Sequence, residues 1–412
     1  MTTRESVERE IRPHSRRNIA LNLTEASLDS AAMSMVTFQT IIVYFISGYV
    51  ASNIMIGLLS TVQSLMMVVP QMMTARHLDN KGYYKRFMGW VVLFFRSSSL
   101  ILGILILTLS SVNTTLFIIL FYGVYWATGF FTGSSQLIYI NFINKVIPFD
   151  YRGRFFGIRG MLTSVAGIIG SLIAGLIISM DVGNVKYAYL YFLAFSLDMI
   201  SFMLLMSTFE PRTEPNTADH NNRAVFRDKI LKIIKSDNNF LKYITAEAAV
   251  IFALSTVSFE TVYARTHLGL GSGRISLMTT VLYISQMAGF FIWGWIVDRH
   301  GFKLSMFIGY SVYVLNLFFA VFFVKLPAVI FLLIVFYGFA YSSHLIGNRN
   351  FLFNICIANM VVMPALSLAP LINGLIFDFL GFKTMCVISL AVLFFGIGLL
   401  HNVRESIQYN HT

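Results

Sequence analysis

The sequence has little of what a soluble enzyme or a metalloprotein needs. Only 12% of its 412 residues are charged, and it contains two cysteines and eight prolines. Cys356 and Cys386 have no ligand-like spacing, so the sequence supports neither a metal site nor a disulfide framework. It also lacks a Walker A motif and a pattern typical of a catalytic triad, which argues against an ATP-driven pump or an enzyme. We expect no cofactor.

Long apolar runs take the place of the missing charges. Hydrophobic residues make up 57% of the chain, and a helix needs roughly 20 mostly apolar residues to cross a hydrocarbon layer of about 30 Å. About twelve such runs follow one another between residues 18 and 402. The charged start, MTTRESVEREIRPHSRR, has no apolar core or cleavage site of a signal peptide. The sequence therefore predicts an all-α polytopic membrane protein with twelve transmembrane helices.

The net charge of +11 could suggest a nucleic-acid partner, but the distribution of the basic residues argues otherwise. If the N-terminus is cytoplasmic and the spans alternate, about 24 of the 30 Lys and Arg residues lie on the cytoplasmic side. This bias is typical of membrane proteins whose basic loops stay inside. We therefore expect a multi-pass protein of the cell membrane with both termini cytoplasmic, in contact with anionic lipid and without nucleic acid.

Hydrophilic stretches divide the chain into two groups of six spans. The predicted parts are a cytoplasmic N-terminal segment, a six-helix bundle, a cytoplasmic linker, a second six-helix bundle and a tail, at residues 1–17, 18–209, 210–240, 241–402 and 403–412. Within the linker, RAVFRDKILKIIK places its apolar residues near one helical face. That pattern predicts an amphipathic helix at the membrane surface.

The two predicted bundles contain the same charged loop. ARHLDNKGYYKR (75–86) and GWIVDRHGFKLS (294–305) both carry Asp-x-x-Gly, 219 residues apart. The same shift places Leu58, Thr61 and Val62 over Leu277, Thr280 and Val281. Both bundles begin on the same side of the membrane, so this is a same-orientation repeat, which several transporter folds contain.

These loops resemble the signature of the major facilitator superfamily, Gly-x-x-x-Asp-Arg-x-Gly-x-Lys/Arg, which occurs between helices 2 and 3 and again between helices 8 and 9. The second copy matches at Gly294, Asp298, Arg299, Gly301 and Lys303. The first copy has Ala75 and Asn80 in place of the first Gly and the Arg, and it matches at Asp79, Gly82, Lys85 and Arg86. PFDYRGRFFGIRG resembles the helix 4–5 junction at Arg152, Gly153, Arg154 and Gly157. The resemblance covers nearly the whole chain and implies two parallel six-helix bundles in a monomer.

The resemblance also implies a role for the loop carboxylates Asp79 and Asp298. In this superfamily they meet the N-terminal end of a neighbouring helix and basic partners across the bundle. Such a contact is worth roughly 0.3–1 kcal/mol when exposed, and it can form in one conformation and break in another. The loop residues are therefore candidate conformational latches. The alternative is that these charges only set the topology and end the helices.

Ionisable residues within the apolar runs are candidates for the transport site, because an unpaired charge costs several kcal/mol in hydrocarbon. Glu25 and Asp29 lie one helical turn apart on the first span, and Glu247 lies near the repeat position of Glu25 on the seventh. The resemblance places both spans beside a central cavity. A carboxylate removed from water holds a proton more readily, so each could carry a coupling proton or bind a cationic group of the substrate. The alternative is a carboxylate that a neighbouring helix satisfies.

Five further polar residues lie within or at the ends of spans. Arg96, mid-way along the third span, needs a carboxylate partner, for which Asp198 of the sixth span is a candidate; substrate binding is the alternative. Gln136 and His344 supply polar groups from the fourth and tenth spans, and His344 either titrates near neutral pH or only packs. Glu260 is expected at a hydrated rim near the end of the seventh span.

These patterns together predict a secondary transporter that moves a small solute across the membrane by alternating access, with protons as the candidate coupling ion. Two alternatives stay open. The junction between the tenth and eleventh spans lacks the basic residues of its counterpart in the first half, which leaves a transport-inactive sensor or interaction protein open, although the acidic groups of the first and seventh spans favour transport. A lipid flippase on the same scaffold is the other. The residues specify neither the substrate nor the direction of transport.

Overall fold

A computed structural model of the chain describes residues 8–78, 82–211, 238–350 and 367–403. In these ranges the chain is helical and contains no β-strand. Ten helices are long and apolar enough to cross a membrane, and two shorter apolar helices, Asn53–Val68 and Ala369–Leu380, complete a set of twelve. The predicted all-α polytopic fold is confirmed. The predicted linker helix and the junction between the tenth and eleventh spans lie outside the described residues.

We number the helices in chain order. The first half contains α1 (Ser15–Met35), α2 (Asn53–Leu78), α3 (Lys85–Leu109), α4 (Thr114–Val146), α5 (Arg152–Ile178) and α6 (Val185–Ser207). The second half contains α7 (Asn238–Leu254), α8 (Ser272–His300), α9 (Phe302–Phe323), α10 (Pro327–Asn350), α11 (Ala369–Leu380) and α12 (Phe382–His401). After a break, α1 continues through Phe38–Ile42 and Val43–Ile46, and α7 continues through Val257–Thr266.

The breaks in α1 and α7 fall at the same place in the sequence repeat. Each helix stops two residues before a threonine, and these threonines, Thr37 and Thr256, are 219 residues apart. Each hydroxyl donates to the backbone carbonyl three residues earlier, that of Ser34 or Ala253, at 2.9 Å. A side chain that bonds to the preceding turn competes with the backbone hydrogen bonds of a helix and bends it. The repeat is therefore visible in the backbone as well as in the loops.

The chain forms two compact units. One contains the described residues of Met1–Phe45, Val62–Ala218 and Ser272–Thr280, and the other contains those of Ile46–Thr61, Asp219–Gly271 and Val281–Thr412. The first turns of α2 therefore group with the second half of the sequence, and the first turns of α8 group with the first half. Within α2 and α8 the exchanged residues, 53–61 and 272–280, again differ by 219 positions.

Close packing of α4 against α2 depends on two glycines. The stretch GFFTG places Gly129 and Gly133 four residues apart, on one face of α4. A Cβ atom at Gly129 would meet the backbone of Gln63, and one at Gly133 would meet the backbone of Met67. In lipid, where apolar surface alone does not drive helices together, small residues at this spacing allow the backbones to approach. The pair of glycines therefore fixes the distance between α2 and α4.

We expect Gly133→Val to destabilise the fold by about 1–3 kcal/mol, because the new side chain must push the α2 backbone away. Gly123→Val on the same helix is the matched control, since a Cβ at Gly123 meets nothing within 4 Å. Unfolding in mixed micelles of increasing SDS content measures both variants. Equal losses of stability in the two variants would show that α4 and α2 do not need the glycine contact.

Candidate functional site

Three of the predicted residues meet in a buried ion-pair cluster between α1 and α3. Nη2 of Arg96 lies 3.0 Å from Oε1 of Glu25 and 3.3 Å from Oδ1 of Asp29. Glu25 and Asp29 share a face because they are one helical turn apart. The side chains of Arg96 and Glu25 are 3% and 4% exposed, whereas that of Asp29 is 36% exposed. Asp29 is therefore the partly exposed member of the three.

Two residues that the sequence reasoning did not select complete this cluster from α4 and α5. The Tyr139 hydroxyl donates to Oε2 of Glu25 at 2.8 Å. Arg159 in turn donates to that hydroxyl oxygen at 3.2 Å, and its guanidinium lies over the Tyr139 ring, 5.3 Å from the centroid. The sequence offers no clear signal for Arg159, because only the structure shows that α5 starts at Arg152. A residue seven positions into a helix lies about 10 Å along it, within the span.

Asp198 on α6 adds a third carboxyl group to the cluster. Arg96 donates to its backbone carbonyl oxygen at 2.8 Å, not to its carboxylate. The candidate pairing of Arg96 with the Asp198 carboxylate is therefore corrected: the carboxylates of Glu25 and Asp29 already occupy the other end of the guanidinium. Both carboxylate oxygens of Asp198 are buried without a hydrogen-bond partner among the described residues, and so is Nε of Arg96.

The second half contains a corresponding group around Glu247 of α7. Nδ1 of His344 lies 3.0 Å from Oε1 of Glu247, and the Tyr310 hydroxyl donates to Oε2 of Glu247 at 3.1 Å. Tyr310 also lies 3.2 Å from Nδ1 of His344. Glu247, His344 and Tyr310 are all buried. The structure thus brings together two predicted residues, Glu247 and His344, and adds Tyr310 from α9.

The two groups follow one plan. In each half a glutamate of the first helix accepts hydrogen bonds from side chains on the third and fourth helices, Arg96 and Tyr139 in one case, Tyr310 and His344 in the other. They differ in charge, because the first half uses two arginines and the second uses a histidine that can be neutral. The first group therefore contains more charged side chains than the second.

Glu260 is the residue whose predicted position is wrong. It was expected at a hydrated rim, but its side chain is 0% exposed in the segment Val257–Thr266. The segment continues for six residues beyond Glu260, which at 1.5 Å per residue is about 9 Å. Glu260 therefore lies inside the helix bundle and not at its edge.

At the start of α3 a carboxylate occupies the helix N-terminus, as the resemblance implied for a loop residue. Glu210, fully buried, accepts the backbone N–H groups of Tyr84 and Lys85 at 2.8 Å each. Lys145 of α4 donates to Glu210 at 2.9 Å and to the carbonyl oxygen of Gly82 at 2.7 Å. The Lys85 side chain donates to the backbone carbonyl of Thr208. Asp79, for which this kind of contact was predicted, lies outside the described residues.

The second loop copy forms the expected turn but leaves its carboxylate exposed. Gly301 has φ 85° and ψ 172°, a conformation open to glycine, and links α8 to α9. Lys303 donates to the backbone carbonyl of His401 at 2.7 Å, and the Arg299 guanidinium lies 4.3 Å from the Trp295 ring centroid. Asp298 is exposed and pairs with no basic side chain in the described parts of the chain.

The remaining predicted residues that the structure describes occupy other positions along the helices. Arg152 caps the end of α4 through the carbonyl oxygens of Ile147 and Asn144. Gly153 lies in the first turn of α5 and Gly294 lies along α8. Three others are exposed side chains at helix surfaces: Arg86, Gln136 and Arg154.

A third copy of the loop spacing occurs at Gly374–Lys383, a stretch that was not selected from the sequence. GLIFDFLGFK repeats Gly-x-x-x-Asp-x-x-Gly-x-Lys, without the arginine that made the second copy recognisable. Gly381 has φ 84° and ψ 164°, nearly those of Gly301, and links α11 to α12. The spacing of Gly, Asp and Gly is the signal that would have found it.

In this third copy the carboxylate does contact a helix N-terminus. Asp378 accepts the backbone N–H groups of Asn53 at 2.9 Å and Ile54 at 3.1 Å, and the hydroxyl of Ser52 at 2.7 Å. The Asn53 side-chain amide donates to it at 2.6 Å. Asp378 thereby caps α2, at the end opposite to the Gly82 loop. A charged acceptor at a helix N-terminus is favoured by the unpaired N–H groups of the first turn.

The comparisons with known proteins agree with this architecture. The sequence profile of the Major Facilitator Superfamily matches residues 28–361. A crystal structure of a D-xylose–proton symporter is similar over 93% of this chain and 97% of that one, at 15% identity and a TM-score of 0.66. The nucleoside transporter NupG is similar over 94% and 99%, at 14% identity and 0.68. The fucose–proton symporter FucP of E. coli is similar over 94% and 98%, at 14% and 0.62. No match was found among proteins with curated descriptions.

We expect Arg96→Met to destabilise the protein by about 3–5 kcal/mol, because two carboxylates lose their counter-charge inside the membrane. Adding Glu25→Gln should recover part of that loss, since it removes one of the uncompensated charges. Arg299→Met is the control, because its guanidinium is exposed. Unfolding in SDS mixed micelles reports all three, and an Arg96→Met variant as stable as the control would show that the ion pairs are not needed.

We expect Asp378→Ala to raise the amide exchange rates of Asn53 and Ile54 about fivefold, the equivalent of losing an N-cap worth about 1 kcal/mol. Asp298→Ala, at the same position of the second loop copy, should leave exchange at the start of α9 unchanged. Hydrogen–deuterium exchange in nanodiscs measures both. Unchanged protection of α2 in Asp378→Ala would contradict the capping role.

Proposed function

The chain belongs to the major facilitator superfamily, and from this we propose that it is a secondary transporter which couples the movement of a small solute to the movement of protons. The observation that carries the proposal is the buried cluster around Glu25, in which carboxyl groups outnumber cations and one carboxyl group is partly exposed. The comparisons support a transporter of this superfamily; the proton coupling rests on the cluster.

The charge balance of the cluster favours the binding of one proton. Glu25, Asp29 and Asp198 contribute three negative charges when ionised, and Arg96 and Arg159 contribute two positive charges. The fully ionised cluster would therefore carry a net charge of −1 within the membrane-spanning helices. Because uncompensated charge costs several kcal/mol there, taking up one proton stabilises the cluster. Asp29 offers the entry point, since it is the exposed member.

Arg96 can respond to that proton because it has a second arrangement available. Its Nη2 holds Glu25 and Asp29, while its Nη1 lies on the carbonyl oxygen of Asp198. Protonation of either acid weakens the first pairing. The carboxylate of Asp198, which has no partner in the described structure, is then the nearest alternative. An arginine that moves between α1 and α6 provides the two-state element that alternating access requires.

The group in the second half is proposed to bind substrate or a second proton. His344 and Glu247 form an ion pair only when the histidine is protonated, and Tyr310 donates to the glutamate in either state. A solute with hydroxyl or amino groups could exchange with these hydrogen bonds. The family pattern, in which helices 1, 4, 7 and 10 line a central cavity, supports this assignment.

The charged loops are proposed to bias the conformational equilibrium without touching the substrate. For Asp298 and Asp79 this role is inferred from the family pattern. For Asp378 it is supported by the hydrogen bonds that this residue accepts at the start of α2. A contact that exists in one conformation stabilises that conformation over the other. Replacing such a carboxylate therefore changes the rate of transport more than the affinity for the solute.

The test is a thermal-shift screen of small polar solutes, beginning with pentoses and nucleosides, followed by flux in proteoliposomes. We expect uptake to be driven by an imposed pH gradient. Glu25→Gln should reduce that uptake at least tenfold and leave solute exchange without a gradient intact, because glutamine keeps hydrogen bonds but cannot take up the proton.

Asp181→Asn, an exposed residue between α5 and α6, is the control and should behave like the wild type. Uptake that ignores the pH gradient in the wild type would exclude proton coupling. A solute that binds but is never moved would instead support a sensor, and movement of labelled phospholipid alone would support a flippase.

A further inference from the structure

Glu260 is a buried acid that the proposed transport site does not use. It lies one turn into the segment Val257–Thr266, and its side chain is 0% exposed. Neither of its carboxylate oxygens has a hydrogen-bond partner among the described residues. Arg265, the one cation of this fully described segment, donates to Ser47 instead. An ionised carboxylate left alone in this environment would cost several kcal/mol.

The register of α7 and α9 places Asn316 opposite Glu260. Thr256 and the Tyr313 hydroxyl lie 2.9 Å apart, which fixes one contact between the two helices. As odd-numbered spans of one bundle, α7 and α9 run in the same direction. Glu260 lies four residues beyond Thr256, and Asn316 lies three residues beyond Tyr313, each about one turn further along its helix. The two side chains are therefore neighbours, and each has buried oxygen atoms without a hydrogen-bond partner among the described residues.

The hydrogen bonding of Asn316 determines what it can offer to Glu260. Its side-chain nitrogen donates to the backbone carbonyl of Leu333 at 2.7 Å, which fixes the orientation of the amide. Its oxygen, Oδ1, is buried and has no donor among the described residues. The site thus contains three oxygen atoms, two from Glu260 and one from Asn316, that can only accept hydrogen bonds while Glu260 is ionised.

The other groups that face Glu260 supply neither a counter-charge nor a donor stronger than a thiol. Tyr313 of α9 shares its hydroxyl contact with Thr256, and its ring packs edge-on against Tyr337 of α10 at 6.1 Å. Cys386 of α12 is buried nearby and is a free thiol. None of these side chains is a cation. A proton on Glu260 is the change that turns one acceptor into a donor and removes the charge.

We propose that Glu260 carries a proton in this conformation and donates it in a hydrogen bond to Oδ1 of Asn316, so that the pair is a proton-holding site of the second half. The step is a simple acid–base reaction. A carboxylate oxygen of Glu260 takes up H⁺ while water reaches the segment, keeps it while the segment is closed to water, and gives it back when water returns. Tetrahedral or octahedral cation binding would need further oxygen ligands, and the nearby Thr256 and Tyr313 oxygens already contact each other. The inference does not depend on a coupling role for Glu25.

A carbodiimide tests this without any substrate, because dicyclohexylcarbodiimide reacts with protonated carboxyl groups in apolar surroundings. The full-length protein in proteoliposomes is labelled at several pH values, and the adduct is mapped by peptide mass. We expect an adduct at Glu260 that declines as the pH rises and is the same in sodium and potassium buffers. Protection by sodium at constant pH would overturn the proposal in favour of a sodium site.

Thermal unfolding of Glu260→Gln is the second measurement, and it remains informative if the reagent fails to reach the site. Glutamine matches the neutral acid in shape and hydrogen bonding, so the variant should melt within about 2 °C of the wild type at about pH 4, where the acid is protonated in the unfolded chain as well. As the pH rises, the wild type holds a proton that its unfolded chain has released, and it loses stability. The variant should therefore become the more stable of the two.

Glu8→Gln, near the N-terminus and outside the helix bundle of the second half, is the control and should show no such trend. A Glu260→Gln variant that is less stable than the wild type at every pH would mean that Glu260 is ionised and paired, which would overturn the proposal. Proton-driven flux is not part of either readout. Failure of this inference is thus distinguishable from failure of the proposed transport function.

Discussion

The structure depends on one constraint: a charge inside the membrane-spanning helices has no water to stabilise it and must find a partner in the protein. Arg96 satisfies this constraint for Glu25 and Asp29 while it also binds a backbone carbonyl of α6. One side chain thereby links three helices of the first unit. Because acids outnumber bases in the cluster, the same constraint underlies the proposal that the cluster binds a proton. The ion pairs of Arg96 thus hold the helices together and also determine the charge balance of the cluster.

The sequence was sufficient for the fold and for the identity of several cluster members, because both depend on local patterns. Apolar runs revealed the spans, and Glu25, Asp29 and Arg96 were recognisable as charges within them. Tyr139 and Arg159 were not, since a tyrosine is common in such spans and Arg159 follows a charged junction whose end the sequence does not mark. Glu260 was misplaced because its depth depends on the break in α7, which comes from side-chain hydrogen bonds.

The repeated loop shows what such a motif encodes. Gly301 and Gly381 adopt nearly the same backbone conformation, so the spacing of Asp and Gly specifies a turn between two helices. The contact of the carboxylate is a separate property, because Asp378 caps α2 whereas Asp298 is exposed. The carboxylate makes such a contact only where a helix N-terminus lies within hydrogen-bond distance. The motif therefore predicts the turn between two helices, but it does not predict which groups the carboxylate contacts.

The exchange of short segments between the two units has a consequence for synthesis. The first unit contains Ser272–Thr280, which the ribosome produces only after the whole first half and the linker. The second unit likewise contains Ile46–Thr61, made near the beginning. Each unit therefore combines residues from both halves of the chain. The first unit has all its residues only after the start of α8 has been synthesised.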